Sequence, residues 1–423
     1  MKKKYLIITG VKKLLYGNQS FLKNISAFLK TGECEIYYLR DSRIVRGIKS
    51  SFRLHCPKKS KKLSKINEFE ENQIKGPVNN KKLKFNQKTR IKNDKSQWII
   101  SLPAILVYLP MALFNFLKKR DKDYNLIVGY EISGVVVGWF IKRVLYKNAK
   151  LIGIFQGTAM PLDCKSSKIL NYFKNLLYYP LDLLAWTLPL DGAVITNDGT
   201  DGKKVAQYFG VESNKIFFET NGVDYERLNS LLKAEDKVRK KPNEINIVCL
   251  MRFVEWKRID RIIEIANEIK KSEKFLDLKI NMNLIGDGPE FKNIESLIKE
   301  FEVRDIVTLL GKKTYEESIK ILKSCDFSIT TSDVSNINNL VLDSMAIGIP
   351  IISVDSGSLD WLVETYNSAE KVFIIKPEQK FPDYETPLYE FIKNNSTNKR
   401  ESVGIISIDK REEMLCDWLK KTF

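Results

Sequence analysis

The stretch INIVCLMRFVEWKRIDRII, residues 245–263, holds a β-branched apolar run, then two cations, Arg252 and Lys257, then apolar residues at helical spacing. Such a run reads as a buried strand feeding a helix, the repeating unit of a parallel sheet with crossover helices. Parallel sheets bind ligands at the carboxyl ends of their strands, beside helix N-termini whose free N–H groups attract anions. The helix dipole disfavours cations at that end. Arg252 and Lys257 in this place therefore point to an anion held between them. Arginine supplies a planar fork of donors and lysine a compact charge.

The pattern repeats in both directions. Further apolar runs at Lys279–Ile285, Ile306–Leu309, Phe327–Thr330, Ile349–Ser353 and Val372–Ile375 alternate with helical patterns. Upstream, runs at Tyr5–Thr9, Glu35–Leu39, Asn125–Val128, Lys150–Phe155, Gly192–Thr196 and Lys215–Glu219 do the same. The fold class is α/β with two Rossmann-like domains, and 423 residues exceed the roughly 250–300 at which one core stops growing. Domains are expected at 1–220 and 221–405, divided at the Asn221-Gly222 turn signal. Within 406–423, Met414, Leu415, Trp418, Leu419 and Phe423 fall at helical intervals, as an amphipathic helix docked on one domain requires.

Two more strand ends carry chemistry. LIGDGPEF (284–291) sets Gly286 and Gly288 after a strand, with Pro289 suited to a first helical position. In 330–352, the polar residues Ser332, Asp333, Ser335, Asn336, Asn338 and Asn339 precede a helical pattern. A helix start there offers free amides to phosphate, and Asp343, one turn in, reaches a ribose hydroxyl. The plainer reading of the same residues is an N-capping cluster.

Taken together, these stretches resemble the family 4 glycosyltransferases, which have the GT-B fold of two Rossmann-like domains facing across a cleft. MRFVEWKRIDRII resembles the family's G-R-x-x-x-x-K-G segment, which implies that Arg252 and Lys257 hold the donor diphosphate and serve as the catalytic cations. LIGDGPE is similar to a family turn of the same form, and FFETNGVDYERL to its I-P-N-G-V-D segment. SNINNLVLDSMAIGIPII is similar to the region written E-G-F-P-N-V-L-L-E-A-M-A-C-G-L-P-V-I. The resemblance implies a retaining transferase, with a UDP- or GDP-linked sugar as substrate and neither cofactor nor metal. Gly286, Gly288, Ser335, Asn338, Asn339 and Asp343 would line the donor site.

Departures fall on the same places. The family's paired glutamates align with Ser335, which loses the carboxylate, and Asp343, which keeps one. Asp333 offers a carboxylate two residues before Ser335. A histidine common in the first domain aligns with Gln156, so the acceptor and sugar side is left to Gln156 and Gly10, the first glycine after the opening strand. Met251 and Arg258 replace the flanking glycines. These changes keep a second reading open, a nucleotide-sugar-binding or regulatory subunit with impaired turnover.

Composition narrows the classes. The only histidine is His55, beside a basic stretch, so no His-based triad or zinc site is available at the strand ends. The net charge is +18, and half of it lies within 57–96, which holds thirteen Lys and Arg against four Asp and Glu and reads as a basic insertion. With no nucleic-acid-reading motif and the charge concentrated in one stretch, a nucleic acid ranks last among the candidate partners. The basic insertion and the apolar stretches Trp98–Leu117 and Leu176–Leu190 suggest an anionic membrane surface and a glycan or lipid-linked acceptor. Trp98–Leu117 is read as a buried or interface-lying helix, because a span would divide the sheet between two sides of the bilayer. Six scattered cysteines suit a reducing compartment, and MKKKYLIITG reads as a first strand, not a signal peptide. The expected location is cytoplasmic, peripheral on the inner face of the membrane.

Overall fold

The computed structural model describes residues 3–9, 19–39, 43–46, 109–110, 112–117, 123–158, 160, 168–232, 243–355, 357, 359–396 and 400–423. Gly10 and the basic insertion at 57–96 lie outside the described residues.

The first sheet holds β1 (Lys4–Thr9), β2 (Glu33–Tyr38), β3 (Arg43–Arg46), β4 (Leu126–Tyr130), β5 (Lys150–Phe155), β6 (Gly192–Thr196) and β7 (Ile216–Glu219) in the order β3-β2-β1-β4-β5-β6-β7. Its helices are α1 (Gln19–Thr31), α2 (Glu131–Val144), α3 (Lys168–Tyr178), α4 (Pro180–Thr187) and α5 (Gly202–Tyr208), with a further helical stretch at 112–117. The second sheet holds β8 (Glu244–Leu250), β9 (Lys279–Ile285), β10 (Val307–Gly311), β11 (Phe327–Thr330), β12 (Ile351–Val354) and β13 (Val372–Ile375) in the order β10-β9-β8-β11-β12-β13. With it go α6 (Tyr225–Leu232), α7 (Ile259–Lys271), α8 (Phe291–Glu300), α9 (Tyr315–Ser324), α10 (Asn339–Ile347), α11 (Leu359–Thr365) and α12 (Phe381–Ser396). The chain ends in α13 (Ile408–Thr422).

Both sheets are parallel apart from β3, which runs antiparallel to β2 with Glu35 opposite Arg46. Parallel strands covered by helices on both faces must be apolar on both sides, which is why LIVGY of β4 is buried throughout. Alternate residues go to opposite layers. Ile7, Val128, Ile152 and Val194 pack with α1 and α13, while Leu6, Ile8, Ile127 and Leu151 pack with α2.

The structure corrects the sequence reading at two points. RIVR forms an edge strand that its arginines disguised. Leu176–Leu190 is divided between surface and core: Leu176 and Leu177 are exposed, whereas Leu181, Leu183, Ala185 and Trp186 are buried and Trp186 stacks on Phe155 with centroids 3.9 Å apart. At the end of Trp98–Leu117, Ala112 and Phe116 are buried and Phe116 packs edge-on to Tyr37, while Phe114 and Leu117 are exposed. Among the described residues no helix is long and apolar enough to cross a membrane.

The C-terminal helix α13 returns to the first domain and lies along α1. Leu415, Cys416 and Leu419 enter that core, and Trp418 packs near Phe217. Glu412 accepts ion pairs from Lys23 at 3.1 Å and Lys30 at 2.5 Å, and Arg411, fully buried, donates to Asn24 Oδ1 at 2.7 Å.

Candidate functional site

Where strand order reverses in an open α/β sheet, the loops diverge and leave a crevice at the carboxyl edge. In the second sheet the reversal lies between β8 and β11, because β8 leads out to β9 and β10 before the chain returns to β11. The loop after β8 carries Arg252 and Lys257, and the loop after β11 carries Ser335 and Asn338. Topology thus brings the predicted anion-binding residues to one place.

A single 3-10 turn, Glu255–Lys257, is followed by Arg258 in the left-handed conformation (φ 51°) and swings Lys257 inward until it is only 8% exposed. Its amine donates to the Ser335 carbonyl at 3.1 Å and lies over the Trp256 ring. Burial pushes this lysine down to about 8, against the pull of the Asp198 carboxylate. Arg252 is exposed and makes no ion pair among the described residues. One cation is therefore fixed and partly desolvated, and the other is free at the mouth.

Gly286 and Gly288 hold the floor of this loop. A Cβ on Gly286 would lie 1.9 Å from the Met251 carbonyl oxygen, and one on Gly288 would lie 2.3 Å from that of Phe253. Backbone bonds join the two loops: Met251 N–H to Ile285 O at 3.1 Å, Phe253 N–H to Asp287 O at 3.0 Å and Glu290 N–H to Phe253 O at 3.0 Å. What demands glycine here is contact between two backbones, which sets the position of Arg252.

Asn338 caps α10, its side chain accepting from Val341 N–H at 3.3 Å, while its amide donates to Thr330 Oγ1 at 3.3 Å. Asn339 is exposed at the first helical position. Asp343 is buried beside Tyr315, and burial raises its carboxyl to about 7 although the Tyr315 phenol bonds to it. Asp333 is taken up by an ion pair with Arg261 at 2.7 Å and a longer one with Arg258. It therefore does not stand in for the carboxylate missing at Ser335.

In the first sheet the reversal lies between β1 and β4. The end of β4 presents Tyr130 and Glu131, that of β5 Gln156 and that of β6 Asp198. Gln156 donates to the Tyr130 hydroxyl at 2.7 Å and accepts from Thr196 Oγ1 at 3.4 Å, so its amide is engaged within the domain. Asp198 reaches across the cleft. Its carbonyl accepts from Ile337 N–H at 2.9 Å, and its carboxylate bonds to Ser335 and to Thr200 Oγ1, the latter at 2.6 Å.

Sequence reasoning missed two carboxylates. Asp198 faces Lys257 across the domain seam, and Glu131 sits at φ 59° directly after β4. Burial, then the Asp182 and Asp198 carboxylates, raise Glu131 to about 7. A non-glycine residue held at positive φ at a strand end is uncommon and costs backbone energy. The rule that ligands gather at carboxyl ends of strands was the available signal, since both acids lie within two residues of the end of a buried strand.

Chains built as two facing Rossmann-like domains with the crevice at both reversals are of the GT-B class. The whole chain matches the sucrose-phosphate synthase of Thermosynechococcus elongatus at TM-score 0.55 and 13% identity, covering 100% of this chain and 96% of that one. It matches the lipopolysaccharide outer core galactosyltransferase WaaB at TM-score 0.54 and 12% identity, covering 100% and 95%.

Residues 232–404 match the family model described as glycosyl transferases group 1. An uncharacterized glycosyltransferase of Methanocaldococcus jannaschii is 23% identical over 68% of this chain and 70% of its own length. A putative colanic acid biosynthesis glycosyltransferase, WcaL of Salmonella typhimurium, is 23% identical over 72% and 76%. The second half of the chain is thus similar to the group 1 glycosyl transferases.

Proposed function

We propose that this protein is a glycosyltransferase that moves a hexosyl group from a UDP- or GDP-linked donor to a glycan, polysaccharide or lipid-linked acceptor, with retention at the sugar carbon. The observation that carries this reading is the pair of cations at the β8/β11 reversal, Lys257 fixed at the domain seam and Arg252 free at the mouth. A leaving diphosphate gathers negative charge as the bond from the sugar carbon to its oxygen breaks, and preorganised donors lower that barrier. The acceptor oxygen bonds to the same carbon from the same face, and its proton passes to the departing diphosphate. Asp343, buried beside Tyr315, would take the ribose, and Gly286 and Gly288 would support the Arg252 loop. The polysaccharide pathways named for WcaL and for the amylovoran biosynthesis glycosyltransferase AmsK of Erwinia amylovora support a glycan acceptor.

Thermal stabilisation by UDP, GDP and ADP tests the donor site. A ligand bound only by the native state adds about 2.7 kcal/mol at a hundred times its dissociation constant. One nucleotide should raise the midpoint in the wild type and leave the Arg252→Ala/Lys257→Ala variant unmoved. No shift with any nucleotide would overturn the reading.

A second reading, a donor-binding or regulatory subunit without turnover, draws on Gln156, whose amide is engaged by Tyr130 and Thr196. Nucleotide binding without sugar transfer or donor hydrolysis would favour it.

A further inference from the structure

Helix α3 is turned inside out. Ile169, Tyr172, Phe173, Leu176 and Leu177 follow the i, i+3, i+4, i+7, i+8 spacing that marks the core-facing stripe of an ordinary surface helix. Here they are 70%, 45%, 63%, 46% and 70% exposed, while Asn171 and Asn175 on the other side are 2% and 1% exposed. Leaving this apolar area in water is unfavourable. A contiguous stripe of five such side chains exceeds the few hundred Å² of apolar patch, roughly, that most soluble monomers show.

We propose that this face of α3 docks the first domain on an anionic lipid bilayer. Charge selects the occupant: the sequence of α3 holds two lysines with no Asp or Glu, Lys174 among them is exposed, and the chain carries +18. A second copy would set lysine against lysine, whereas anionic headgroups complement them. An apolar helical stripe of this kind with basic charge beside it lies in the plane of the interface, its apolar face about 5–10 Å into the headgroup boundary. The docking stands on α3 alone. Its consequence, delivery of the first-domain strand ends to a lipid-linked acceptor, rests on the transferase reading above.

The test is flotation of the full chain with vesicles of three parts phosphatidylcholine to one of phosphatidylglycerol, and with phosphatidylcholine alone. The wild type should float with the anionic vesicles, less so as salt rises. Phe173→Glu/Leu177→Glu should lower the partition coefficient at least tenfold while keeping its thermal midpoint and its nucleotide-induced shift, because both side chains are exposed. Wild type that stays at the bottom, or a variant that floats equally well, overturns the proposal. So does a concentration-dependent dimer that the variant abolishes without any flotation, which would assign the face to a second copy. Flotation needs no nucleotide, so the docking and the donor site can fail separately.

Discussion

The amine of Lys257 donates to the carbonyl of Ser335 at 3.1 Å, and Ser335 bonds in turn to Asp198 of the other domain. One backbone carbonyl and one carboxylate thus fix a cation at the domain seam. Preorganisation of this kind spares the reorganisation that water would need when charge develops on a leaving group. Lys257→Ala should lower turnover about a hundredfold, the scale of one preorganised donor. Turnover of the purified variant near that of the wild type would remove Lys257 from the mechanism.

The same lysine should make donor binding depend on pH. Burial lowers it to about 8, so it is charged below that pH and neutral above it. A diphosphate binds the charged form and holds its proton on. Affinity for the nucleoside diphosphate should therefore fall by about tenfold per pH unit above about 8, the slope for one linked proton. Calorimetry from pH 7 to 10 on wild type and Lys257→Ala decides it. An equal slope in the variant would mean that another group titrates.

Much of the fold could be read because parallel strands are apolar on both faces, so each core strand announces itself as a run such as LIVGY or INIVCL. The edge strand RIVR has no such face to bury. Arg252, Lys257 and Asp343 were legible through their place after strand ends and the family's spacing. Asp198 and Glu131 were not, since only the meeting of two domains gives Asp198 its partner, and only burial beside other acids distinguishes Glu131 from an ordinary helix-start glutamate. The spacing in α3 was ordinary too, and nothing in it tells which face is turned outward.

Glu131 links stability to pH. Its folded value of about 7 lies above its ordinary value of 4.5, so the native state holds a proton that the unfolded chain has released. Stability must then fall as pH rises through that window, with the loss complete above about 7. Glu131→Gln, which cannot ionise, should be more stable than wild type at pH 8 by about 3 kcal/mol and equal to it near pH 4.5. Urea midpoints at the two pH values measure this. A variant equally destabilised at both would show that Glu131 serves the fold as a carboxylate.

Two glycines separate backbone strain from collision. Gly311 (φ 67°) has nothing within 4 Å of an added Cβ, so Gly311→Ala should cost only the left-handed penalty of about 1–2 kcal/mol. At Gly286 (φ 154°) the added carbon would meet the Met251 carbonyl at 1.9 Å and the Phe253 ring at 2.8 Å. Backbone strain and overpacking combine there, for a cost on the order of 4 kcal/mol. Relief requires the Met251–Phe253 segment to move, and Arg252 lies between those two residues. Gly286→Ala should therefore weaken nucleoside diphosphate binding under conditions where the variant is still folded, whereas Gly311→Ala should bind as the wild type does. Urea unfolding gives the first difference and titration calorimetry the second. Loss of stability with full affinity in Gly286→Ala would mean that the loop carrying Arg252 is set by something other than its contact with the loop after β9.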